Sequence, residues 1–336
     1  MEFGSAEAIA SGCPDTWARV IGAPQAQALA AGPATGLVEK ALAWLDNPHC
    51  GLVTMVSPEY PKILLNLHDA PVALYVRGRM DLLNSPSLAI VGSRNASRTG
   101  VEDARAIAHA LSEAGLTIVS GLALGIDAAA HVGGLAGASS SVAVMGTGAD
   151  VPYPRGNARL YDRLAAEGCI VSEFPLGTPP GRWNFPQRNR LISGLSRGVL
   201  VVEAALGSGS LITAKRALDQ NRDVFAIPGS IHSTLSKGCH WLIKEGAKLV
   251  ETAHDVLVEL NLAAAGPPAA PVEEPAEDDP VLEALGYAPM SIDEFVMHTG
   301  LGAATLAARL TRLELEGRIE ALPGGRFRRS GRREIE

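Results

Sequence analysis

Residues 184–203, NFPQRNRLISGLSRGVLVVE, join a basic segment directly to an apolar strand pattern. The four residues at 199–202, VLVV, show no polar alternation, which is typical of a strand buried on both faces of a parallel sheet. Soon after it, the small residues of segment 207–210, GSGS, open a helical pattern. Such a helix start leaves N–H groups available to an anion. The sequence therefore predicts two phosphate-facing elements at the two ends of one central strand.

The segment before this strand combines positive charge with aromatic rings. Such a combination suits a surface that holds phosphates and stacks bases. Its residues are Arg182, Trp183, Phe185, Arg188, Asn189 and Arg190. Two simpler interpretations stay open, because the arginines could be a solvated charge run and Ser208, Gly209 and Ser210 could form an ordinary capped turn. Neither segment is a Walker A or GxGxxG fingerprint.

Strand and helix patterns alternate from residue 88 to residue 250. The predicted strands are 88–91, 116–120, 142–145, 169–173, 199–202, 223–227 and 248–250, preceded by a strand at 72–76. The predicted helices are 99–114, 127–136, 157–167, 210–220 and 235–245. This alternation predicts right-handed βαβ units and an α/β fold with a doubly wound, mostly parallel sheet of extended Rossmann-like type.

Glycines and polar residues repeatedly follow the predicted strand ends. Gly92, Ser93 and Arg94 follow the first strand of the regular series, and the GSGS segment follows the strand at 199–202. The carboxyl ends of parallel strands meet at one edge of a sheet, where ligands bind. We therefore expect these loops to line a common edge.

Four segments make up the predicted domain organisation. Residues 1–58 read as a small helical domain, residues 59–262 as the Rossmann-like core, residues 263–280 as a flexible acidic Ala/Pro linker and residues 281–330 as a winged helix-turn-helix. The second helix of the winged helix offers alanines rather than Asn or Gln for reading bases. A protein-contact or structural role is therefore favoured slightly over base reading for this domain.

Charge distribution matters more here than net charge. The chain of 336 residues has a formal charge of −7, yet residues 86–250 hold 16 Lys and Arg against 12 Asp and Glu, a local balance of +4. Local patches decide nucleic-acid binding.

The four cysteines form no CxxC pair, and neither a membrane span nor a signal peptide is indicated. We therefore expect a cytoplasmic protein.

Several catalytic classes lack their motifs. The glycine loops have no third glycine for a nicotinamide cofactor, no GxxxxGK[ST] is present, and the GSGS segment fails GxSxG. Asp127 and His131 stand four residues apart at a helix start, where a capping Asp and a packed His are favoured over a metal site. Glu203 could be a general base, but the sequence shows no partner for it. We expect no catalytic residue, no metal and no cofactor.

Five motifs in one order resemble DNA-processing protein A (DprA). They are residues 89–94 (AIVGSR), 120–131 (SGLALGIDAAAH), 185–196 (FPQRNRLISGLS), 208–214 (SGSLITA) and 223–229 (DVFAIPG). The likeness runs from about residue 60 to residue 260. The winged-helix segment also resembles that of the family, and the N-terminal helices loosely resemble its SAM-like or helix-hairpin-helix domain.

The resemblance implies a non-catalytic protein of natural transformation. Family members bind incoming single-stranded DNA on the core, form homodimers through it, and help to load RecA onto DNA coated with single-stranded-DNA-binding protein. By motif, Arg94 would grip the strand, with Arg155 and Arg182 as further contacts. Gly207 departs from the family pattern, since the residue before Ser-Gly-Ser is often basic.

A nucleoside-monophosphate hydrolase of the lysine-decarboxylase-like group is the alternative. Its sheet and glycine loops look similar, but its PGGxGTxxE signature is absent from this sequence.

Overall fold

The computed structural model describes residues 8–9, 11–32, 35–262, 280–285, 290–316, 318–322 and 325–329. The chain forms two compact units, Met1–Asn261 and Leu262–Glu336, each of which is considered separately below. The predicted linker lies outside the described residues except for Pro280, and the domain boundaries stay predictions. Within the described ranges, every helix is too short or too polar to cross a bilayer.

The first unit is built on one nine-stranded sheet. Its strands in chain order are β1 (Cys50–Thr54), β2 (Ala73–Gly78), β3 (Ser87–Val91), β4 (Thr117–Ser120), β5 (Ser141–Val144), β6 (Cys169–Ser172), β7 (Gly198–Val201), β8 (Asp223–Ala226) and β9 (Lys248–Leu249). They pair in the order β1-β2-β6-β5-β4-β3-β7-β8-β9. The β1–β2 and β2–β6 pairs are antiparallel and the others parallel. The predicted doubly wound, mostly parallel Rossmann-like sheet is confirmed.

Helices precede the sheet, connect most of its strands from β3 onward, and follow its last strand. They are α1 (Pro14–Ile21), α2 (Ala23–Ala30), α3 (Thr35–Leu45), α4 (Arg98–Glu113), α5 (Ile126–Ala136), α6 (Ala158–Glu167), α7 (Asn184–Gly194), α8 (Gly209–Asp219), α9 (Lys237–Lys244) and α10 (Ala253–Glu259). Helix α4 shows why such segments fold, because Ser97 caps its first turn by accepting from the N–H of Gly100 at 3.0 Å. Ala104, Ala108 and Leu111 then bury one face at helical spacing.

The central strands are covered on both faces. Every residue of β5 is buried, and successive residues belong to separate core clusters. Val142 and Val144 pack into the larger cluster, whereas Ala143 and Met145 pack into a second one. Because side chains of a strand alternate between faces, the two clusters lie on opposite sides of the sheet. This double burial explains the absence of polar alternation in the strand patterns.

Strand β1 lies within residues 1–58, for which the sequence predicts a small helical domain. Its five residues pair antiparallel with β2, from Cys50 opposite Arg77 to Thr54 opposite Ala73. The segment is too short for a clear period, and its conformation depends on partner residues that lie 19 to 27 positions away along the chain. The sheet therefore begins before the boundary predicted at residue 59.

The second unit has the predicted winged-helix architecture. Its elements are α11 (Pro280–Ala284), β10 (Met290–Ser291), α12 (Ile292–Thr299), α13 (Ala303–Leu315), β11 (Ile319–Leu322) and β12 (Arg326–Arg329), and the strands pair in the order β10-β12-β11. Ser291 and Glu294 form a capping box at the start of α12. Gly300 ends that helix with a φ of 68°, a left-handed conformation that favours glycine. Phe295 and Leu310 are buried in the hydrophobic core of this second unit.

Candidate nucleic-acid interface

A cavity of about 690 Å³ opens at the carboxyl ends of β3 and β7. Strand β3 pairs with β4 on one side and with β7 on the other, so the winding of the chain reverses between β3 and β7. Ligands of open α/β sheets bind outside such a reversal point. The loops after these two strands and the first turns of α7 line the cavity.

Most of the predicted nucleic-acid-binding residues line this cavity together. They are Gly92, Ser93, Arg94, Arg182, Phe185, Arg188, Asn189, Ser208, Gly209 and Ser210. Arg155 and Arg190 are not among the lining residues. The expectation that loops after different strands line one edge agrees with this placement.

Glu203 braces the loop that carries Arg94. Its carboxylate accepts from the N–H of Ser97 at 2.9 Å and from the Ser97 hydroxyl at 2.6 Å. Its carbonyl oxygen accepts from the N–H of Ser93 at 2.7 Å. A Cβ on Gly100 would lie 2.4 Å from the Glu203 carboxyl carbon, so this close approach requires glycine. The β3–α4 loop is therefore fixed from the end of β7.

Arg94 itself remains exposed at the mouth of the cavity. Its guanidinium carbon lies 5.8 Å from the centre of the Phe185 ring, within the range of a cation–π contact. The ring holds the guanidinium in place without neutralising its charge. Arg94 can therefore still meet a phosphate bidentately, as only an arginine can.

The start of α8 forms the opposite wall. Ser208 caps the helix, and its hydroxyl lies 2.7 Å from that of Ser210 and accepts weakly from the Ser210 N–H. Gly207 adopts a φ of 81°, which explains why a residue without Cβ stands there. A helix start at a cavity offers N–H groups and a positive dipole end to an anion.

The sequence predicts that Arg188 belongs to a phosphate-binding surface, but the residue is only 4% exposed in the structure. Its Nη1 donates to the carbonyl oxygens of Gly121, at 2.8 Å, and Val144, so it ties together the ends of β4 and β5. Burial lowers the pKa of Arg188 to about 10, an effect that nearby Asp127 opposes. Its side chain stabilises the floor of the cavity rather than presenting a free cation.

Arg190 is likewise buried and paired within the protein. Its Nη2 contacts Glu173, and its Nε lies 3.2 Å from Asp69. Burial raises the pKa of Glu173, while Arg190 opposes that shift. The interpretation of residues 188–190 as an exposed basic surface is therefore wrong for both arginines. Asn189, between them, is partly exposed and lies 3.5 Å from the Gly209 carbonyl oxygen.

A helical period in the sequence indicates that Arg188 faces the core. Arg188, Leu191, Ile192 and the C-cap residue Leu195 stand at i, i+3, i+4 and i+7, and all four are buried. This spacing is typical of the core-facing side of a helix.

Asp127 and His131 both accept hydrogen bonds from backbone N–H groups of the loop after β4. The Asp127 carboxylate accepts from the N–H groups of Gly121 and Ala123, at 3.1 and 3.4 Å. His131 Nε2 accepts from the N–H of Leu122 at 3.2 Å, and its Nδ1 lies 2.7 Å from the Ser141 hydroxyl. Burial, with Arg188 nearby, lowers the pKa of His131 to about 3. The prediction of a packed, hydrogen-bonded His131 is confirmed, but Asp127 does not cap α5, whose N-cap residue is Gly125 without a side-chain capping hydrogen bond. The described residues contain no cluster suited to a metal.

Arg182 and Arg155 are the other exposed cations of the prediction. Arg182 lines the cavity and lies 5.5 Å from the centre of the Trp183 ring, which is 76% exposed. Arg155 begins the short 3-10 turn before α6 and is exposed outside the lining.

Two neighbours of the predicted residues were missed. Asn95 lines the cavity directly after Arg94, and its position in the same loop was the available signal. Tyr153 stacks on Phe185, which the sequence could not show because the two residues are brought together only by the fold.

Fold and site define an extended Rossmann-like α/β protein with a cationic cavity at the switch point of the sheet and an additional winged-helix unit. The family model of DNA recombination-mediator protein A matches residues 51–261, and that of the DprA winged helix domain matches residues 265–325. The chain belongs to the DNA recombination-mediator protein A family, which confirms the resemblance.

Relatives with known names agree with this assignment. Protein Smf of Escherichia coli is 44% identical over 301 residues, covering 87% of this chain and 80% of that protein. DNA processing protein DprA of Streptococcus pneumoniae is 51% identical over 202 residues, covering 60% of this chain and 71% of that protein.

Solved structures show the same likeness. The X-ray structure of DprA from Streptococcus pneumoniae matches with a TM-score of 0.63 and 45% identity, covering 68% of this chain and 78% of that one. DNA processing protein A from Helicobacter pylori, described for its single-stranded DNA binding mode, matches with a TM-score of 0.58 and 28% identity. That match covers 63% of this chain and 95% of the Helicobacter chain.

Proposed function

We propose that this protein binds single-stranded DNA across the carboxyl edge of the sheet and protects incoming strands during natural transformation. The observation that carries the proposal is the cavity at the switch point, where exposed arginines, a helix start and the Phe185 ring converge, with the exposed Trp183 ring beside Arg182. Phosphates bind to cations and N–H groups, while rings accept any unpaired base. The relative from Helicobacter pylori is described as binding single-stranded DNA.

The exposure of each side chain determines the contact with the strand that we propose for it. Arg94 and Arg182 bind phosphates at the cavity, and Arg155 binds a phosphate beyond it. The loop of Gly92 and Ser93 and the helix start at Ser208, Gly209 and Ser210 contact the backbone of the strand. Phe185 and Asn189 complete the wall, whereas Arg188 and Arg190 act indirectly, by holding loops and α7 in place.

Family membership supports the proposed partners. The protein forms a homodimer through its core, loads RecA for homologous recombination and engages strands coated with single-stranded-DNA-binding protein. Mass measurement in solution tests the dimer. A RecA strand-assimilation assay on coated single-stranded DNA, with and without this protein, tests the loading activity, and no stimulation would contradict it.

The protein acts as a binding protein rather than a nucleoside-monophosphate hydrolase. A hydrolase of this topology would need a free carboxylate near the reacting bond, whereas both oxygens of the Glu203 carboxylate are occupied by Ser97. The geometry therefore favours a structural role for the carboxylate that the sequence left open as a general base.

Competition binding tests the proposal directly. We expect a fluorescein-labelled oligo-dT to be displaced by unlabelled oligo-dT and only poorly by a duplex of equal length, because a duplex offers no unpaired bases to the rings. Product release from nucleoside monophosphates, measured on the same preparation, should stay at background. Equal competition by duplex would contradict the strand-groove model, and turnover would favour the hydrolase.

A further inference from the structure

The loop after β5 carries an aromatic side chain that the cavity does not include. Tyr153 is 39% exposed, and its hydroxyl makes no hydrogen bond within the part of the chain that the structure describes. Tyr60 and Tyr161, by contrast, are buried and donate to the carbonyl oxygens of Pro71 and Ala149, at 2.6 and 2.5 Å. Because no such bond holds its hydroxyl within the described protein, the partly exposed Tyr153 ring is available to a ligand.

The ring of Tyr153 continues a stack that begins inside the cavity. It lies against Phe185 with ring centres 5.5 Å apart and an interplanar angle of 30°. Phe185 has the Arg94 guanidinium over its ring and Gly146 beside its Cδ1, where an added Cβ would come within 2.7 Å. Protein groups thus already occupy much of the Phe185 surface. Tyr153, outside the cavity lining, offers the next ring surface in the stack.

We propose that Tyr153 forms a base-stacking subsite at the rim of the cavity. This inference rests on the proposed function and extends it to a residue outside the predicted set. The ring of Tyr153 receives the face of one unpaired base, while Arg94 binds a phosphate within the cavity and Arg155, two residues further along the loop, binds a phosphate outside it. Because every base has a π-face, the subsite selects for an unpaired base rather than for a sequence.

A packing role for Tyr153 would have different requirements from a stacking role. Packing against Phe185 needs an apolar side chain of adequate size, which leucine supplies. Stacking needs a flat ring, which phenylalanine retains and leucine lacks. Tyr153→Leu and Tyr153→Phe therefore separate the two roles, and the exposure of this position limits the effect of either change on folding.

A strand without bases provides the matched ligand. Fluorescence anisotropy compares labelled oligo-dT with an abasic strand of the same number of phosphates, using the full chain and its Tyr153→Leu, Tyr153→Phe and Arg94→Ala variants. We expect Tyr153→Leu to weaken oligo-dT binding roughly 5- to 100-fold and to leave abasic binding within about twofold. Tyr153→Phe should keep the oligo-dT affinity. Arg94→Ala should weaken binding of both strands, because it removes a phosphate contact.

Each outcome decides the inference. If Tyr153→Leu binds oligo-dT like the unchanged protein, or loses both strands equally, Tyr153 is not a stacking subsite. An equal loss for Tyr153→Phe would also overturn it, since the hydroxyl rather than the ring would then matter. Failure of the unchanged protein to bind any single strand would instead overturn the proposed function and the subsite with it.

Discussion

The proposed function makes Arg94 the residue on which strand binding should depend most. The loop around it is fixed by Glu203, yet its guanidinium stays exposed over Phe185. Arg94→Ala should weaken binding to all oligonucleotide sequences. It should also reduce the slope of log affinity against log salt by roughly 0.7, the value for one phosphate contact on a single strand. Anisotropy at several salt concentrations measures both effects.

Arg98→Ala is the matched control for this prediction. Arg98 is exposed on the next turn of the chain and pairs with Glu102 at 2.9 Å. Its removal should leave the salt dependence unchanged. An Arg94→Ala protein with an unchanged slope and a lowered melting temperature would show that Arg94 only braces its own loop.

The carboxyl group of Asp103 should make the free energy of unfolding of this protein depend on pH. Burial raises the pKa of its carboxyl to about 6, with Glu102 and Glu203 adding repulsion. Between the unfolded value of 3.8 and about 6, the folded protein binds more protons than the unfolded chain, so the free energy of unfolding contributed by this group falls as pH rises through that window. Asp103→Asn should therefore raise the free energy of unfolding by about 1–2 kcal/mol near pH 8, after solvent screening, and hardly change it near pH 4.

Urea unfolding of Asp103→Asn at these two pH values measures the difference. Asp162→Asn, which changes an exposed aspartate on α6, is the control and should show no such difference. A stabilisation by Asp103→Asn that is equal at both pH values would contradict the assigned titration.

At the scale of elements, the contact between the end of β7 and the start of α4 positions the interface. Glu203→Ala removes the acceptor of the Ser97 N–H and hydroxyl. For Glu203→Ala we expect the free energy of unfolding to fall by about 1–3 kcal/mol, because hydrogen bonds to a charged group are lost. The value for Glu203→Gln should lie between those of Glu203→Ala and the unchanged protein. Oligo-dT affinity should fall in the same order as the Arg94 loop loosens. Thermal melts and anisotropy test this, and a strongly weakened strand affinity with unchanged stability would contradict it.

The elements that sequence alone predicts are those with a strong local pattern. Strands β3 to β8 were recognisable because both faces are largely buried and most of their residues are apolar. Strand β1 was missed because it depends on pairing with β2. At the site, the glycine loops and Arg94 were predictable from their position after strands, whereas Arg155 was indicated only by the family resemblance. The burial of Arg188 and Arg190 and the stacking of Tyr153 on Phe185 depend on contacts between distant segments.

At the scale of the whole molecule, the first unit contains the cavity and all of the proposed strand contacts. It also has a large core of its own. Removing residues 263–336 should therefore reduce oligo-dT affinity less than tenfold, which corresponds to less than about 1.4 kcal/mol. Anisotropy of the shortened and full chains provides the comparison. A larger loss would show that the winged-helix unit is part of the main binding site.

The central claim concerns where the strand lies, and a crystal soaked with oligo-dT tests it most directly. The proposed function predicts density for the strand in the cavity between β3 and β7. One phosphate should lie within hydrogen-bond distance of Arg94, another at the N–H group of Gly209, and one base should stack on Tyr153. A strand bound elsewhere, with the cavity empty, would contradict the proposed interface.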